Sequence, residues 1–170
     1  MNHLFDIFDT LEQLPPNSEA VLATVVSVEG SAYRQPGARM LILADGQSIG
    51  MVSGGCLEKH LVQRAFWLTR HGATLKTYHT ATDSQLSQDE VADDSDEQEG
   101  FGLGCQGVIQ VLFERLILNE QSVLFACFQR LKQTKQPQIL ATVITSNSDE
   151  FIVGQHLPLT RLEEHTSELQ

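Results

Sequence analysis

Apolar residues fall into stretches of two periods along the chain. Leu4, Phe5, Ile7, Phe8, Leu11 and Leu14 recur at helical spacing and stop at Pro15-Pro16, which predicts an amphipathic first helix. Residues 20–28 form an almost continuous β-branched apolar run, as a buried strand would. Residues 40–43 and 48–52 read as two short strands about Asp45-Gly46, a hairpin signal. Helical periodicity returns over residues 56–71 through Leu57, Leu61, Val62, Ala65, Phe66 and Leu68, with Gly72 as the expected cap. Residues 75–79 and 108–113 alternate like strands. Residues 122–132 predict a third helix with Ser122 as N-cap and Cys127 as core packing. Residues 138–145 echo the first strand (Leu140 to Ile144 against Leu22 to Val26), each followed by a turn and a glycine-led return. The echo predicts two related strand units in one sheet. The expected fold is α/β (α+β): a single domain over residues 1–160, with a mixed sheet flanked by helices.

Charge divides the chain unevenly. Residues 83–99 contain eight acids and no Lys or Arg, and without them a net −11 becomes −3. This stretch is expected to be a solvated, mobile acidic loop, with a docking surface for a basic partner or a cation site as the minor reading. With no basic stripe, nucleic-acid binding has little support. No apolar run approaches a membrane span and no export signal is visible. Three cysteines do not build a disulfide framework, and they suit a reducing cytoplasm. Residues 163–170 match one reading frame of a common sequencing-library adapter and are expected to be a non-native tail, with the gene interrupted near Leu162.

The candidate chemistry lies between the periodic segments. Ser53-Gly54-Gly55-Cys56-Leu57-Glu58 joins a strand to a helix. Free N–H groups at such a turn, with the helix dipole behind them, favour anions and lower the pKa of a helix-N-terminal thiol. Gly102 to Gly107 (GLGCQG) is a second glycine-dense turn, containing Gly104, Cys105 and Gly107. It fits G-x-G-x-x-G in letters but leads into a strand, so a dinucleotide-binding role is disfavoured. Without CxxC or clustered histidines, zinc is disfavoured as well. Cys56 and Cys105 can be a redox pair, or soft sulfur groups presented to a metal or sulfur-bearing ligand. Arg34 and Arg39 lie beside Pro36-Gly37, where guanidinium forks suit phosphate; the plain alternative is surface charge or an ion pair to the acidic run.

Four stretches together resemble the XdhC/CoxI family: residues 22–26, GSAYRQPGARM (30–40), SGGCLE (53–58) and GLGCQG (102–107). Tyr33 and Gln106 depart from the family pattern, which has Pro and Gly there. The resemblance implies an accessory protein that binds molybdenum cofactor, protects it while its sulfido ligand is installed, and hands it to xanthine dehydrogenase or a related molybdenum hydroxylase. It is expected to act as an insertion chaperone rather than as an enzyme. A cysteine desulfurase as second partner, a homodimer, and a C-terminal Rossmann-like domain absent from this chain belong to the same expectation. The cofactor-binding set implied is Arg34, Arg39, Ser53, Gly54, Gly55, Cys56, Gly104, Cys105 and Gly107, with Cys56 and Cys105 nearest the molybdenum. Glu58 belongs to the motif without an assigned role. Two other classes stay open: a redox or sulfur-transfer enzyme with Cys56 as nucleophile and Cys105 as resolving partner, and an interaction module that binds no ligand.

Overall fold

The computed structural model describes residues 3–30, 34–55, 57–79, 99–100, 107–118 and 122–159. Helix α1 spans Leu4–Gln13 and buries Ile7, Phe8 and Leu11. It stops at Leu14, whose extended backbone is what a residue before proline requires. The chain then enters β1 (Glu19–Gly30), the strand around which the rest is laid.

Strands β2 (Arg39–Leu43) and β3 (Ser48–Gly50) form the hairpin that Asp45-Gly46 predicts. Asp45 Oδ1 accepts from the Gln47 N–H at 2.9 Å and steadies the turn. Helix α2 (Glu58–Leu68) is followed by β4 (Thr74–His79), β5 (Glu99–Gly100) and β6 (Gly107–Ile117). The six strands make one sheet in the order β3-β2-β1-β6-β4-β5, antiparallel except for the short β4–β5 pair. The fold is α+β with a mixed sheet, as its sequence predicts. Helix α3 (Val123–Thr134) starts where Ser122 Oγ accepts from the Phe125 N–H.

Because β1 is covered on both faces, its apolar run is nearly unbroken. Val21, Ala23 and Val25 face α2 and pack with Met40, Ile42, Val52, Leu57, Leu61, Ala65 and Phe113. Ala20 and Leu22 face the opposite side and pack with Leu41, Ile7, Phe8, Leu11 and Phe128. Phe8 stacks on Phe128, so α1 and α3 close that side together.

Four expectations are corrected. Helix α2 ends at Leu68 with Thr69 as its C-cap, and Gly72 lies in the turn that follows. The Thr69 hydroxyl bonds back to the Ala65 carbonyl, which closes the helix before His71 is reached. Second, the echo of β1 does not join the main sheet. Strand β7 (Ile139–Thr142) pairs with β8 (His156–Leu159) in a separate two-stranded sheet. Its side chains are exposed or half-buried where those of β1 are buried, so the shared letters carry different packing. The glycine-led return itself is present, with the Gly154 N–H bonded to the Val143 carbonyl. Third, Cys127 is only half-buried; its neighbour Phe128 carries the packing. Fourth, Glu99, read as the end of the acidic loop, belongs to β5. The rest of that loop lies outside the described residues, as do residues 163–170.

Strand registers decide where the motifs meet. Gly30 pairs with Gly107, Thr24 with Arg39, Met40 with Gly50, and His79 with Val108. Thus β1, β3 and β4 finish, and β2 and β6 begin, at one end of the sheet. The β1–β2, β3–α2, β4–β5 and β5–β6 connections all leave from that end. They carry GSAYRQPGARM, SGGCLE, the acidic run and GLGCQG, respectively.

Candidate functional site at one end of the sheet

The turn after β3 is held from within by Glu58. Its Oε1 accepts from the backbone N–H of Val52 at 3.2 Å and of Ser53 at 2.7 Å, and its Oε2 accepts from the Ser53 hydroxyl at 2.7 Å. Ser53 Oγ in turn accepts from the N–H groups of Gly55 and Leu57, each at 3.3 Å. Burial alone would raise the Glu58 carboxyl. The bonds from Ser53 and Val52 outweigh it and hold the pKa below the usual carboxylate value. Four amides that the sequence offers as anion donors are therefore already engaged by the motif's own side chains. The turn is braced before any ligand arrives.

Gly54 and Gly55 form the exposed lip of this turn. Gly55 has φ +114°, a conformation that side chains resist, and a Cβ built there meets nothing within 4 Å. Among the described residues nothing stands over Gly55. Val52 and Leu57, one on each side, are buried and root the turn in the core beneath α2.

Arg34 ties the neighbouring loop to this turn. Its Nε donates to the Ser53 carbonyl at 3.4 Å and its Nη2 approaches Met51 Sδ at 3.3 Å. Arg39 opens β2, and its Nη1 donates to the Gly37 carbonyl at 3.2 Å. Burial pulls the Arg39 guanidinium below its ordinary value, and the field of Glu114 offsets part of that effect. Both arginines line a single cleft with His3, Leu4, Gly37, Ala38 and Met51, with about 360 Å³ of empty space that includes open solvent. Among the described residues neither guanidinium has a carboxylate within ion-pair distance.

Gly107 begins β6 at the same sheet end, paired with Gly30. Arg34, Arg39, Ser53, Gly54 and Gly55 are thus brought together, Gly107 points the same way but lies five residues along β6 beyond the level of Arg39, and Cys56, Gly104 and Cys105 lie outside the described residues. Among the described residues no group of three His, Cys, Asp or Glu side chains is placed to hold a metal ion, and no helix is long and apolar enough to cross a membrane.

Three features escape a reading of the sequence. The Glu58 brace does so because a capping box places its acid three residues after the serine, and here the interval is five. His79 Nε2, on the last residue of β4, is buried without a hydrogen-bond partner among the described residues, an orphaned polar atom beside the same loops. No local pattern marks it. The third is on the α1 face, where buried Glu114 has Oε1 at 3.0 Å from His156 Nε2, a close polar contact without hydrogen-bond alignment. Thr142 Oγ1 meets the other ring nitrogen at 3.0 Å, so this relay fastens the β7–β8 hairpin to the sheet.

Comparison with known proteins agrees with this architecture. The family model described as the XdhC and CoxI family matches residues 15–79, a span containing the arginine loop and the braced turn. The chain is 40% identical over 117 residues to a probable xanthine dehydrogenase subunit of Bacillus subtilis (strain 168), covering 68% of this chain and 32% of that protein. It is 46% identical over 48 residues to the molybdenum cofactor insertion chaperone PaoD of Escherichia coli (strain K12), covering 28% of this chain and 15% of that one. A solved structure described as a xanthine dehydrogenase from Bacillus halodurans is similar with a TM-score of 0.64 and 27% identity, over 91% of this chain and 41% of that chain. The chain therefore spans about a third of the length of the Bacillus subtilis relative. The sequence match, supported by the shared fold, shows that the chain belongs to the XdhC and CoxI family.

Proposed function

We propose that this chain is an accessory protein that holds molybdenum cofactor as cargo. In this reading it protects the cofactor while its sulfido ligand is installed, then delivers it to xanthine dehydrogenase or a related molybdenum hydroxylase in the cytoplasm. Residues 1–160 act as the cofactor-binding domain, and residues 163–170 take no part. A cysteine desulfurase would supply the sulfur, and a second copy of the chain can complete a dimer.

The observation that carries the reading is the convergence of four motif-bearing connections on one sheet end. The described residues there fit the anionic part of such a cargo. Two guanidiniums without ion pairs among the described residues share a cleft, and a rigid turn presents an open glycine lip. Ser53 serves by holding the turn, while Gly54 and Gly55 let a flat ligand approach the backbone. Cys56 and Cys105, with Gly104 and Gly107 beside Cys105 in the sequence, are assigned to the sulfur-bearing metal end of the cargo. The name of the Escherichia coli relative, a molybdenum cofactor insertion chaperone, supports the same class of role.

The test is cofactor retention through gel filtration after co-expression with a cofactor source. The parent chain is expected to retain molybdenum and pterin, and Cys56→Ala and Cys105→Ala are each expected to retain at least tenfold less. Equal retention by both variants would remove the cysteines from the site. Deleting residues 83–98, which leaves β5 intact, should spare retention; its loss would instead place the acidic run in the binding site.

A further inference from the structure

The cleft between the start of α1 and the arginine loop has a chemistry of its own. Arg34 reaches it from the β1–β2 connection and Arg39 from the first residue of β2. A guanidinium has five N–H donors in a fixed fork. Among the described residues Arg34 uses Nε and Nη2, on a carbonyl and a thioether, and Arg39 uses Nη1, on a carbonyl. All three acceptors are neutral. Both cations are partly buried, and among the described residues their charge is left without a counter-ion, in a chain whose net charge is −11. The acid nearest the cleft mouth in sequence, Asp6, lies against His3 Nδ1 at 3.4 Å. Glu114 acts on Arg39 through its field, beyond ion-pair distance.

A planar carboxylate is filled by one fork. Two forks from different elements match a tetrahedral group with several charged oxygens. We infer that the Arg34–Arg39 cleft is a phosphate subsite, which takes a phosphoryl dianion through the free donors of both guanidiniums. His3 and Leu4, at the start of α1, line the same cleft.

The inference deepens the proposed function and rests on it in one respect: the phosphoryl group is that of the cofactor. It then gives the cargo a direction across the sheet. Strand β2 stands two inter-strand spacings from β6, and Gly107 lies five residues along β6 beyond Leu112, which is level with Arg39, so roughly 20 Å separates Arg39 from the start of β6. The phosphate end would sit at β2 and the metal end beside the β6 loop, with the lip formed by Gly54 and Gly55 nearby.

Inorganic phosphate is the probe, because it isolates the subsite from the rest of the ligand. Phosphate is titrated against chloride at matched ionic strength, and the Nε–Hε resonances of Arg34 and Arg39 are followed by NMR. Both resonances should move and saturate with phosphate only, and Arg34→Gln and Arg39→Gln should each weaken binding at least tenfold. Arg130→Gln, on the exposed side of α3, should leave binding unchanged. Melting curves without phosphate check that the variants fold, and Arg34→Lys, which keeps the charge but loses the fork, serves if Arg34→Gln does not. Resonances that do not move, or phosphate that binds the folded Gln variants as tightly as the parent, would overturn the subsite. Cofactor retention then separates the source of the phosphoryl group. Phosphate binding lost together with retention supports the cofactor's own phosphate. Phosphate binding lost while the same variants retain cofactor in full shows a subsite for another phosphoryl compound and refutes the proposed direction.

Discussion

Replacing Glu58 should loosen the turn that the site is built on. In Glu58→Ala the backbone N–H groups of Val52 and Ser53 lose their acceptor, and the Ser53 hydroxyl loses the oxygen to which it donates. Val52 is 1% exposed and Ser53 8%, so neither amide is readily rehydrated where it stands. A buried donor left unpaired costs about 1–3 kcal/mol. Because the Glu58 side chain is itself half-buried, water can replace part of what it supplied, which places the loss near the lower end, about 2 kcal/mol for the pair. For a chain of this length that corresponds to a fall in Tm of about 4–8 °C. Glu58→Gln should lose less, because its carbonyl still accepts from both amides. Its amide donors, however, face a Ser53 oxygen already accepting from Gly55 and Leu57.

The effect has a pH signature. The Glu58 pKa is lowered in the folded chain, so its contribution is present above the ordinary carboxylate pKa and lost as pH falls through the folded value. Melting curves of parent and Glu58→Gln should therefore differ at pH 7 and converge on the acid side of about pH 4. A cycle with Ser53→Ala should be strongly non-additive, since each side chain braces the other. A Glu58→Ala variant that melts within 1 °C of the parent, or a Glu58→Gln gap that stays constant with pH, would refute the brace.

Other outcomes follow from the packing. Gly50→Ala should be severely destabilising, because Gly50 has φ +88° and an added Cβ would run into the Arg39 carbonyl; chemical denaturation should show a loss of several kcal/mol or no folded protein. Phe128→Ala should cost about 3–5 kcal/mol, since Phe128 is 3% exposed and stacks on Phe8 to join α3 to α1. Glu114→Gln removes the charge facing His156, and hydrogen exchange should show faster opening of β7–β8 while the amides of β1 keep their protection. Lys132, bonded to Asp9 and Glu12 at 2.8 Å each in a half-exposed surface cluster, should be replaceable by Met with an effect that shrinks in high salt.

Much of this architecture is visible in residue order because burial leaves a periodic trace. Leu4 through Leu14 shows α1, and the two-sided burial of β1 shows in the run from Ala20 to Val25. The hairpin turn is written in Asp45-Gly46. Where side chains act through non-periodic contacts, the trace fades. Thr69 closes α2 with a hydroxyl that any surface threonine has, so the helix reads longer in sequence than it is. The resemblance of β7 to β1 is real in letters, but four residues say nothing of which strand lies alongside. For the site, the residue types are legible and their assembly is not. Arg34 touching Ser53, or Arg39 sharing a cleft with His3, depends on antiparallel registers set across the whole sheet. Glu58, the motif residue without a role in sequence, is the one that rigidifies the turn.

The most direct measurement for the cofactor account is the molybdenum-to-pterin-to-protein ratio of the 170-residue chain after co-expression with a cofactor source and gel filtration. The account predicts molybdenum and pterin eluting with the protein in equal amounts, approaching one of each per site. A monomeric or dimeric peak that is folded by circular dichroism yet carries neither would contradict it.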